Sequence, residues 1–292
     1  MAYYFNNENQ TLNPQTRSQL PGQFIDLPDG TVHFEISGPE NGQTVFLIHG
    51  FAVPYFIWDK VFPALAGAGF RVIRYDLYGC GFSDRPDMAY DTALFDRQLF
   101  ELAERLHIQR PFDLIGMSLG GAIASTFTDR HADLVRRLVL IDPYVGSLRQ
   151  SLGENIVKLP IIGEIIMDRF GSQMILDTLP ADFYRPELFP EYQANHRPQM
   201  AYAGFKRAII STLRNNRMGV MRGFYQRVGR TSRPILLVWG CEDHTIPFKN
   251  HSVILEAIPG IEFHPIEKAG HVPHYERPDV VNPILVDFLT RK

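Results

Sequence analysis

The chain has 292 residues, of which 45% are hydrophobic and 21% charged, and its formal net charge is −3. This length and apolar content suffice for one large domain with a buried core, and the small net charge indicates no nucleic-acid partner. Only Cys80 and Cys241 could pair, so no disulfide framework is predicted. A secretory signal and a run of about 20 apolar residues are both missing from the sequence, which predicts a cytoplasmic protein.

Strands and helices are predicted to alternate along most of the chain. An antiparallel hairpin is expected at residues 24–27 and 32–37, turned by Pro28-Asp29-Gly30. Further strands are expected at residues 44–48, 70–75, 112–117, 137–141, 235–239 and 261–266. Apolar residues recur at helical spacing over 93–108, which indicates a helix that packs on the core. The pattern predicts an α/β fold with a doubly wound, mostly parallel sheet that binds ligands at the carboxyl ends of its strands.

The alternation stops between about residues 144 and 233, where the sequence predicts helices interrupted by prolines. We interpret this stretch as a helical cap inserted after the strand that ends at Asp142. The predicted organisation is an N-terminal extension (1–23), a first core part (24–143), the cap (144–233) and a second core part (234–292). The cap carries an apolar row that we expect to pack on the core or to line a substrate pocket: Ile161, Ile162, Ile165, Ile166, Met167, Phe170, Met174 and Ile175.

The second half of the predicted cap is strongly basic. No Asp or Glu occurs between Glu191 and Glu242. The basic residues in this segment are Arg197, Lys206, Arg207, Arg214, Arg217, Arg222, Arg227, Arg230 and Arg233. The favoured interpretation is a solvated face that pairs with acids elsewhere in the chain. The alternative is weak association with an anionic membrane surface.

A candidate nucleophile lies between the predicted strand 112–117 and a helix predicted at 122–131. The pattern Gly-x-Ser-x-Gly spans residues 116–120, and its serine is Ser118. Glycines on both sides permit a tight strand-to-helix turn that raises the hydroxyl above the edge of the sheet. The backbone N–H of Leu119 then points toward the same space and can donate to a developing oxyanion.

A base and an acid follow the serine in the chain. His271 comes after the predicted strand 261–266, and Asp243 comes just beyond strand 235–239. The order Ser118, Asp243, His271 suits a hydroxyl activated by a histidine that an acid orients. Asp142 is a competing acid, and His244 and His274 are weaker candidates for the base. The sequence has no metal-ligand spacing, so neither a metal nor a cofactor is expected.

Four stretches together resemble the α/β-hydrolase superfamily over residues 24–290. They are Phe-Leu-Ile-His-Gly-Phe at 46–51, Arg-Tyr-Asp-Leu-Tyr-Gly-Cys-Gly-Phe-Ser-Asp at 74–84, the serine motif, and Gly-His followed by Glu-Arg-Pro at 270–278. The resemblance implies an α/β-hydrolase fold with a helical cap over the active site. It also implies that the backbone N–H of Phe51 joins that of Leu119 in an oxyanion hole. For the side chain of His49 we favour a structural role, in which the ring bonds nearby backbone.

The resemblance implies a serine hydrolase that cleaves small carboxylic esters through an acyl-enzyme. The narrower expectation is an enzyme like a monoacylglycerol lipase or lysophospholipase. Ser118 disfavours haloalkane dehalogenases and epoxide hydrolases, which use an aspartate, and Val272 after His271 disfavours carbon–carbon bond hydrolases, which commonly have tryptophan there. A cofactor-free haloperoxidase or perhydrolase, a carbon–carbon bond hydrolase, and a ligand receptor with a slow triad remain alternatives.

Overall fold

The sheet of this protein has the predicted doubly wound arrangement. A computed structural model describes residues 5–146, 152–215 and 221–291. Within these ranges eight strands form one sheet in the order β1-β2-β4-β3-β5-β6-β7-β8. The strands are β1 (Gln23–Leu27), β2 (Gly30–Ser37), β3 (Thr44–Ile48), β4 (Arg71–Tyr75), β5 (Phe112–Met117), β6 (Val135–Ile141), β7 (Ile235–Gly240) and β8 (Glu262–Ile266). Strand β2 pairs antiparallel with β1 and β4, and all other neighbours are parallel.

The central strands are buried on both faces. Every residue of β3, β5 and β7 is buried. Successive side chains of a strand point to opposite faces, so Val45 and Leu47 enter one apolar core while Phe46 and Ile48 enter the other. Continuous apolar strands of this kind are typical of a parallel sheet covered by helices on both sides.

The helices lie mainly between consecutive parallel strands. Within the described ranges the α-helices are α1 (Pro14–Arg17), α2 (Phe62–Gly67), α3 (Thr92–Arg105), α4 (Leu119–Arg130), α5 (Leu152–Val157), α6 (Ile162–Thr178), α7 (Glu191–His196), α8 (Phe205–Asn215), α9 (Arg222–Val228), α10 (His251–Ala257), α11 (Pro273–Glu276) and α12 (Pro278–Thr290).

The predicted helix boundaries differ from the observed ones for local reasons. Helix α3 begins at Thr92 because the side chain of Asp91 accepts a hydrogen bond from the N–H of Leu94, as an N-cap residue does. It ends at Arg105 and not at residue 108, since His107 has a left-handed backbone with φ of 51°. Helix α4 begins at Leu119, directly after Ser118, and not at residue 122.

Among its described residues, the segment between β6 and β7 contains helices, turns and loops but no strand, apart from an isolated β-bridge between Tyr202 and Gln10. Helix α6 packs on α5 and α8, whereas α9 packs on α4 and α10 beside the sheet. Much of the apolar row predicted to be covered is exposed, namely Ile161, Ile162, Ile165, Phe170 and Met174. The packing prediction is therefore wrong for these five residues, because α6 turns that side to solvent.

Most of the basic residues in the second half of this segment have local partners. Ion pairs join Arg207 to Asp87, Arg214 to Glu164, Arg222 to Glu256 and Arg227 to Asp129. Lys206 and Arg233 donate to backbone carbonyls, and Arg217 lies outside the described residues. These contacts support the interpretation as a face that pairs with acids elsewhere. Association with an anionic membrane surface stays a prediction, which co-sedimentation with anionic and neutral vesicles would test.

The N-terminal residues are attached to the helical segment. Glu8 accepts hydrogen bonds from the N–H groups of Gly204 and Lys206, both at 2.6 Å, at the start of α8. A carboxylate is favourable there, because the first N–H groups of a helix lack partners within the helix. The N-terminal extension thereby fixes one end of α8.

Two expectations from composition can be compared with the structure. Cys80 and Cys241 are both free thiols. In the part of the chain that the structure describes, no helix is both long enough and apolar enough to cross a membrane.

Candidate active site

The turn between β5 and α4 holds Ser118 in an uncommon backbone conformation. Its φ is 52° and its ψ is −120°, a region that side-chain-bearing residues rarely adopt. The turn is possible because its glycines lie against other backbone. A Cβ on Gly116 would collide with the carbonyl oxygen of Gly120, and one on Gly120 would collide with that of Ile48. The motif therefore encodes the close approach that turns the serine out of the strand.

Ser118 is partly exposed, while its neighbours Met117 and Leu119 are buried. Its own N–H donates to the carbonyl of Ile141 at 3.0 Å, so the backbone of β6 fixes the turn. Leu119 is the first residue of α4. The N–H groups at a helix N-terminus lack intrahelical partners and carry partial positive charge, which suits the binding of an oxyanion.

The loop after β3 lies beside this turn because β3 and β5 are neighbouring parallel strands. Their pairing brings Ile48 opposite Gly116. A Cβ on Gly50 would come within 3.1 Å of the Ser118 Cβ, so the loop contacts the serine directly. Phe51 and Leu119 line one common cleft. The two predicted oxyanion residues thus face the same space at the carboxyl edge of the sheet.

His49 has the structural role that we favoured for its side chain. Its ring is fully buried, and its Nε2 accepts a hydrogen bond from the N–H of Leu77 at 2.8 Å. Nδ1 therefore carries the proton and donates it to the carbonyl of Gly50, also at 2.8 Å. Burial lowers the pKa of this histidine, in keeping with a neutral ring. The ring joins the loop after β3 to the loop after β4.

Asp243 and His271 are brought together by the ends of β7 and β8. Nδ1 of His271 lies 2.8 Å from Oδ2 of Asp243, and the two side chains are 4% and 0% exposed. The other oxygen of Asp243 accepts hydrogen bonds from the N–H groups of Thr245 and Ile246, each at 2.8 Å. Because Nδ1 is engaged by the carboxylate, Nε2 is the nitrogen of His271 that is left to act as a base.

The surroundings of His271 favour its protonated form. Burial alone would lower its pKa, but the charge and hydrogen bond of Asp243 and the charge of Asp182 raise the pKa above its ordinary value. Asp182 belongs to the segment between β6 and β7. Its carbonyl accepts the N–H of His271 at 2.7 Å, and its carboxylate accepts the hydroxyl of Thr245 at 2.8 Å. The sequence analysis missed Asp182, because no motif marks a residue so far along the chain from the histidine.

The remaining candidates occupy different surroundings. Among the residues that the structure describes, the hydroxyl of Ser118 makes no hydrogen bond to His271, and such bonds are often long before substrate binds. His244 is exposed to solvent. His274 is buried, with its ring centroid 4.6 Å from that of Trp58. Asp142, the competing acid, is buried beside Asp243.

A sequence comparison matches the chain to a known family. The model of the Alpha/beta hydrolase family matches residues 45–284. An uncharacterized protein of Mycobacterium tuberculosis is 28% identical over 273 residues, which cover 85% of this chain and 76% of that protein. The match extends over both strand ends that carry Asp243 and His271 and over the turn that carries Ser118.

Several solved structures have a similar fold. The enol-lactonase from Burkholderia xenovorans is 22% identical with a TM-score of 0.80, covering 92% of this chain and all of that one. A bromoperoxidase from Bacillus anthracis is 23% identical with a TM-score of 0.79, covering 93% of this chain and all of that one. A thermophilic esterase from Thermogutta terrifontis is 22% identical with a TM-score of 0.78, covering 92% of this chain and 98% of that one. At these identities the similarity concerns the fold.

Proposed function

The chain belongs to the alpha/beta hydrolase family, and from that premise we propose that it is a serine hydrolase of carboxylic esters. The observation that carries the proposal is the buried pair of Asp243 and His271 at the same sheet edge as the strained turn of Ser118. A serine hydroxyl is a weak nucleophile at its ordinary pKa and requires an adjacent base. Asp243 fixes the tautomer of His271 and stabilises the imidazolium that forms.

The proposed reaction has two halves. Nε2 of His271 takes the hydroxyl proton of Ser118 as its oxygen attacks the ester carbonyl, and the N–H groups of Phe51 and Leu119 hold the oxyanion. The carbon–oxygen bond to the alcohol breaks, His271 returns the proton to the leaving alcohol, and an acyl-enzyme remains. Water then gives a proton to His271 and attacks the acyl carbon. The bond from that carbon to the Ser118 oxygen breaks, His271 returns the proton to this oxygen, and the acid leaves.

The cleft beside the oxyanion residues has an apolar lining and a volume of about 10 Å³, which is room for about one water molecule. Leu77, Tyr78 and Phe95 line it from the core, and Ala208 and Ile209 line it from α8. We therefore propose that the helical segment acts as a cap that shapes the substrate pocket. Monoacylglycerols and lysophospholipids are the narrower proposal, and it rests on the resemblance of the sequence motifs to those of serine esterases and lipases.

The direct test is turnover of p-nitrophenyl esters and monoacylglycerols of graded chain length. We expect Ser118→Ala to lose about 10⁴-fold or more in kcat, because the attacking oxygen is removed while the fold is kept. The matched control is Ser252→Ala, since Ser252 is exposed and bonds only the carbonyl of Lys249 within the described residues. Turnover by Ser118→Ala at the wild-type rate, with circular dichroism unchanged, would refute the assignment.

A second candidate is a cofactor-free haloperoxidase acting through perhydrolysis, which the similarity to the bromoperoxidase favours. In that reaction hydrogen peroxide replaces water in the second half. The same ester panel with and without peroxide separates the two, because a perhydrolase forms peracid from the acyl-enzyme. Multiple turnover, as opposed to a single burst of acylation, distinguishes either enzyme from a ligand receptor.

A further inference from the structure

Asp142 is held rigidly at the end of β6, between the strands that carry Ser118 and Asp243. Its backbone N–H donates to the carbonyl of Val238 at 3.0 Å, and its Oδ1 accepts the N–H of Gly240 at 2.9 Å. Its backbone is left-handed, with φ of 41°, and the residue is fully buried. Two bonds to β7 therefore fix this carboxyl group directly behind the acid of the active site.

The second oxygen of Asp142 has no conventional partner. Oδ2 is buried, and no N–H or O–H group of the described residues donates to it. One ligand atom each of Asp142, Asp243 and His271 lie within 4.8 Å of one another. Two carboxylates this close repel each other when both are ionised, and His271 offsets that repulsion only while it is protonated. A proton on one of them turns the repulsion into a hydrogen bond.

The hydrogen bonds decide which of the two carries the proton. Asp243 accepts three, from Thr245, Ile246 and His271, and each of these stabilises its ionised form. Among the described residues, Asp142 accepts only the one from Gly240. Burial, followed by the charge of Asp243, raises the pKa of Asp142 well above its usual range. Two other titratable groups face Asp142: His271, in the same cluster, and Cys241, a thiol whose own pKa is raised by burial.

We propose that Asp142 carries a proton and donates it in a hydrogen bond to Asp243, so that it positions the acid that orients His271. Asp142 and Asp243 are then partners, one neutral and one ionised, and not alternative acids. Asp142 is a positioning residue, because it acts on the reaction through Asp243. The inference deepens the proposed esterase mechanism and rests on it, but the protonation itself can be measured without any substrate.

Three variants distinguish a neutral Asp142 that donates to Asp243 from an ionised Asp142. In Asp142→Asn the amide oxygen keeps the bond from Gly240 and the NH₂ group replaces the O–H donor, so we expect kcat/KM within about threefold of wild type. Asp142→Leu removes the donor, and we expect a loss of about tenfold or more. Asp243→Asn removes the charge itself, with an expected loss of about 10³- to 10⁴-fold.

Two spectroscopic readouts accompany the kinetics. Difference infrared spectra at neutral pH should show a protonated carboxyl C=O band in wild type that disappears in Asp142→Asn. The pKa of His271 by NMR should be similar in wild type and Asp142→Asn, because both put a neutral donor beside Asp243. If Asp142→Leu does not fold, the infrared band and the kinetics of Asp142→Asn still show whether Asp142 carries a proton.

Three results would overturn the proposal. One is a loss in Asp142→Asn as large as that in Asp243→Asn, which would make Asp142 the ionised partner. Another is the absence of the carboxyl band from the wild-type protein. The third is stoichiometric metal in the purified protein whose removal by EDTA changes the NMR titration of His271, since a cation would then hold the carboxylates together. If every ester proves inert, the proposed function fails while the band and the titration still test the protonation.

Discussion

His271 is controlled by two acids that come from different parts of the chain. Asp243 follows β7, whereas Asp182 lies in the segment between β6 and β7, and the charges of both raise the pKa of the histidine. A base must be neutral to accept a proton. A raised pKa therefore shifts the pH at which His271 becomes competent upward from the ordinary value of 6.5.

We predict that kcat/KM increases with pH as His271 loses its proton, and that the apparent pKa of this increase lies above 6.5. Asp182→Asn should lower this apparent pKa, because the negative charge that stabilises the imidazolium is lost. The asparagine side chain can still accept the hydrogen bond from Thr245. The measurement is a pH profile of initial rates on one p-nitrophenyl ester.

Asp279→Asn is the matched control for this profile, because Asp279 is an acid with 65% side-chain exposure that pairs with Arg277. This variant should have the same apparent pKa as the wild-type protein. The proposed role of the two acids would be contradicted if the apparent pKa of the profile were 6.5 or lower and Asp182→Asn did not change it.

Part of the site could be predicted from sequence because the residues lie in short motifs. Ser118 and His271 each follow a strand in a pattern that local geometry requires, and the bond between Asp243 and His271 has the predicted partners. The relation between Asp142 and Asp243 could not be predicted, since spacing along the chain does not give the distance between two strand ends. Asp182 reaches the histidine through a segment whose path no periodicity describes.

At the level of elements, close backbone contacts hold the site together. The turn after β5 packs on β3 at Gly120, and Gly240 at the end of β7 packs on the backbone of Gly270. Neither position has room for a Cβ. These contacts fix the distance between the serine turn, the oxyanion loop and the histidine loop, and they explain why glycine occurs at these strand ends.

We predict that Gly120→Ala destabilises the protein by about 3 kcal/mol or more, because the new methyl meets the carbonyl oxygens of Ile48 and His49 and backbone cannot be displaced cheaply. Gly67→Ala is the control, since no atom lies within 4 Å of a Cβ there. We expect that change in α2 to be neutral or to stabilise by up to about 1 kcal/mol. Urea unfolding of both variants measures the difference, and equal midpoints would contradict this account of the turn.

Strands were easier to predict from sequence than helices. The predicted strands at 44–48 and 112–117 coincide with β3 and β5, and the other predicted strands lie within one or two residues of the observed ones, because buried strands appear as short continuous apolar runs. Helix ends depend on single residues such as Asp91 and His107. The exposed apolar side of α6 was predicted to be covered, since periodicity shows that a helix has an apolar side but not what that side faces.

At the scale of the whole molecule, the site exists only when distant parts of the chain are folded together. The loop after β3, the turn after β5 and the ends of β7 and β8 meet at one edge, because parallel strands present their carboxyl ends on the same side. The strained backbone of Ser118 is likewise maintained by its neighbours, through contacts with β3 and β6. We therefore expect enhanced reactivity of this serine only in the folded chain.

The most direct test is covalent labelling with a fluorophosphonate, followed by peptide mapping by mass spectrometry. We predict one adduct, on Ser118, in the folded wild-type protein, and none on that residue after unfolding in urea. Ser252→Ala should label like wild type, and Ser118→Ala should not label. An adduct on another residue of the folded protein, or ester turnover that continues while Ser118 remains unlabelled, would contradict the assignment of Ser118 as the nucleophile.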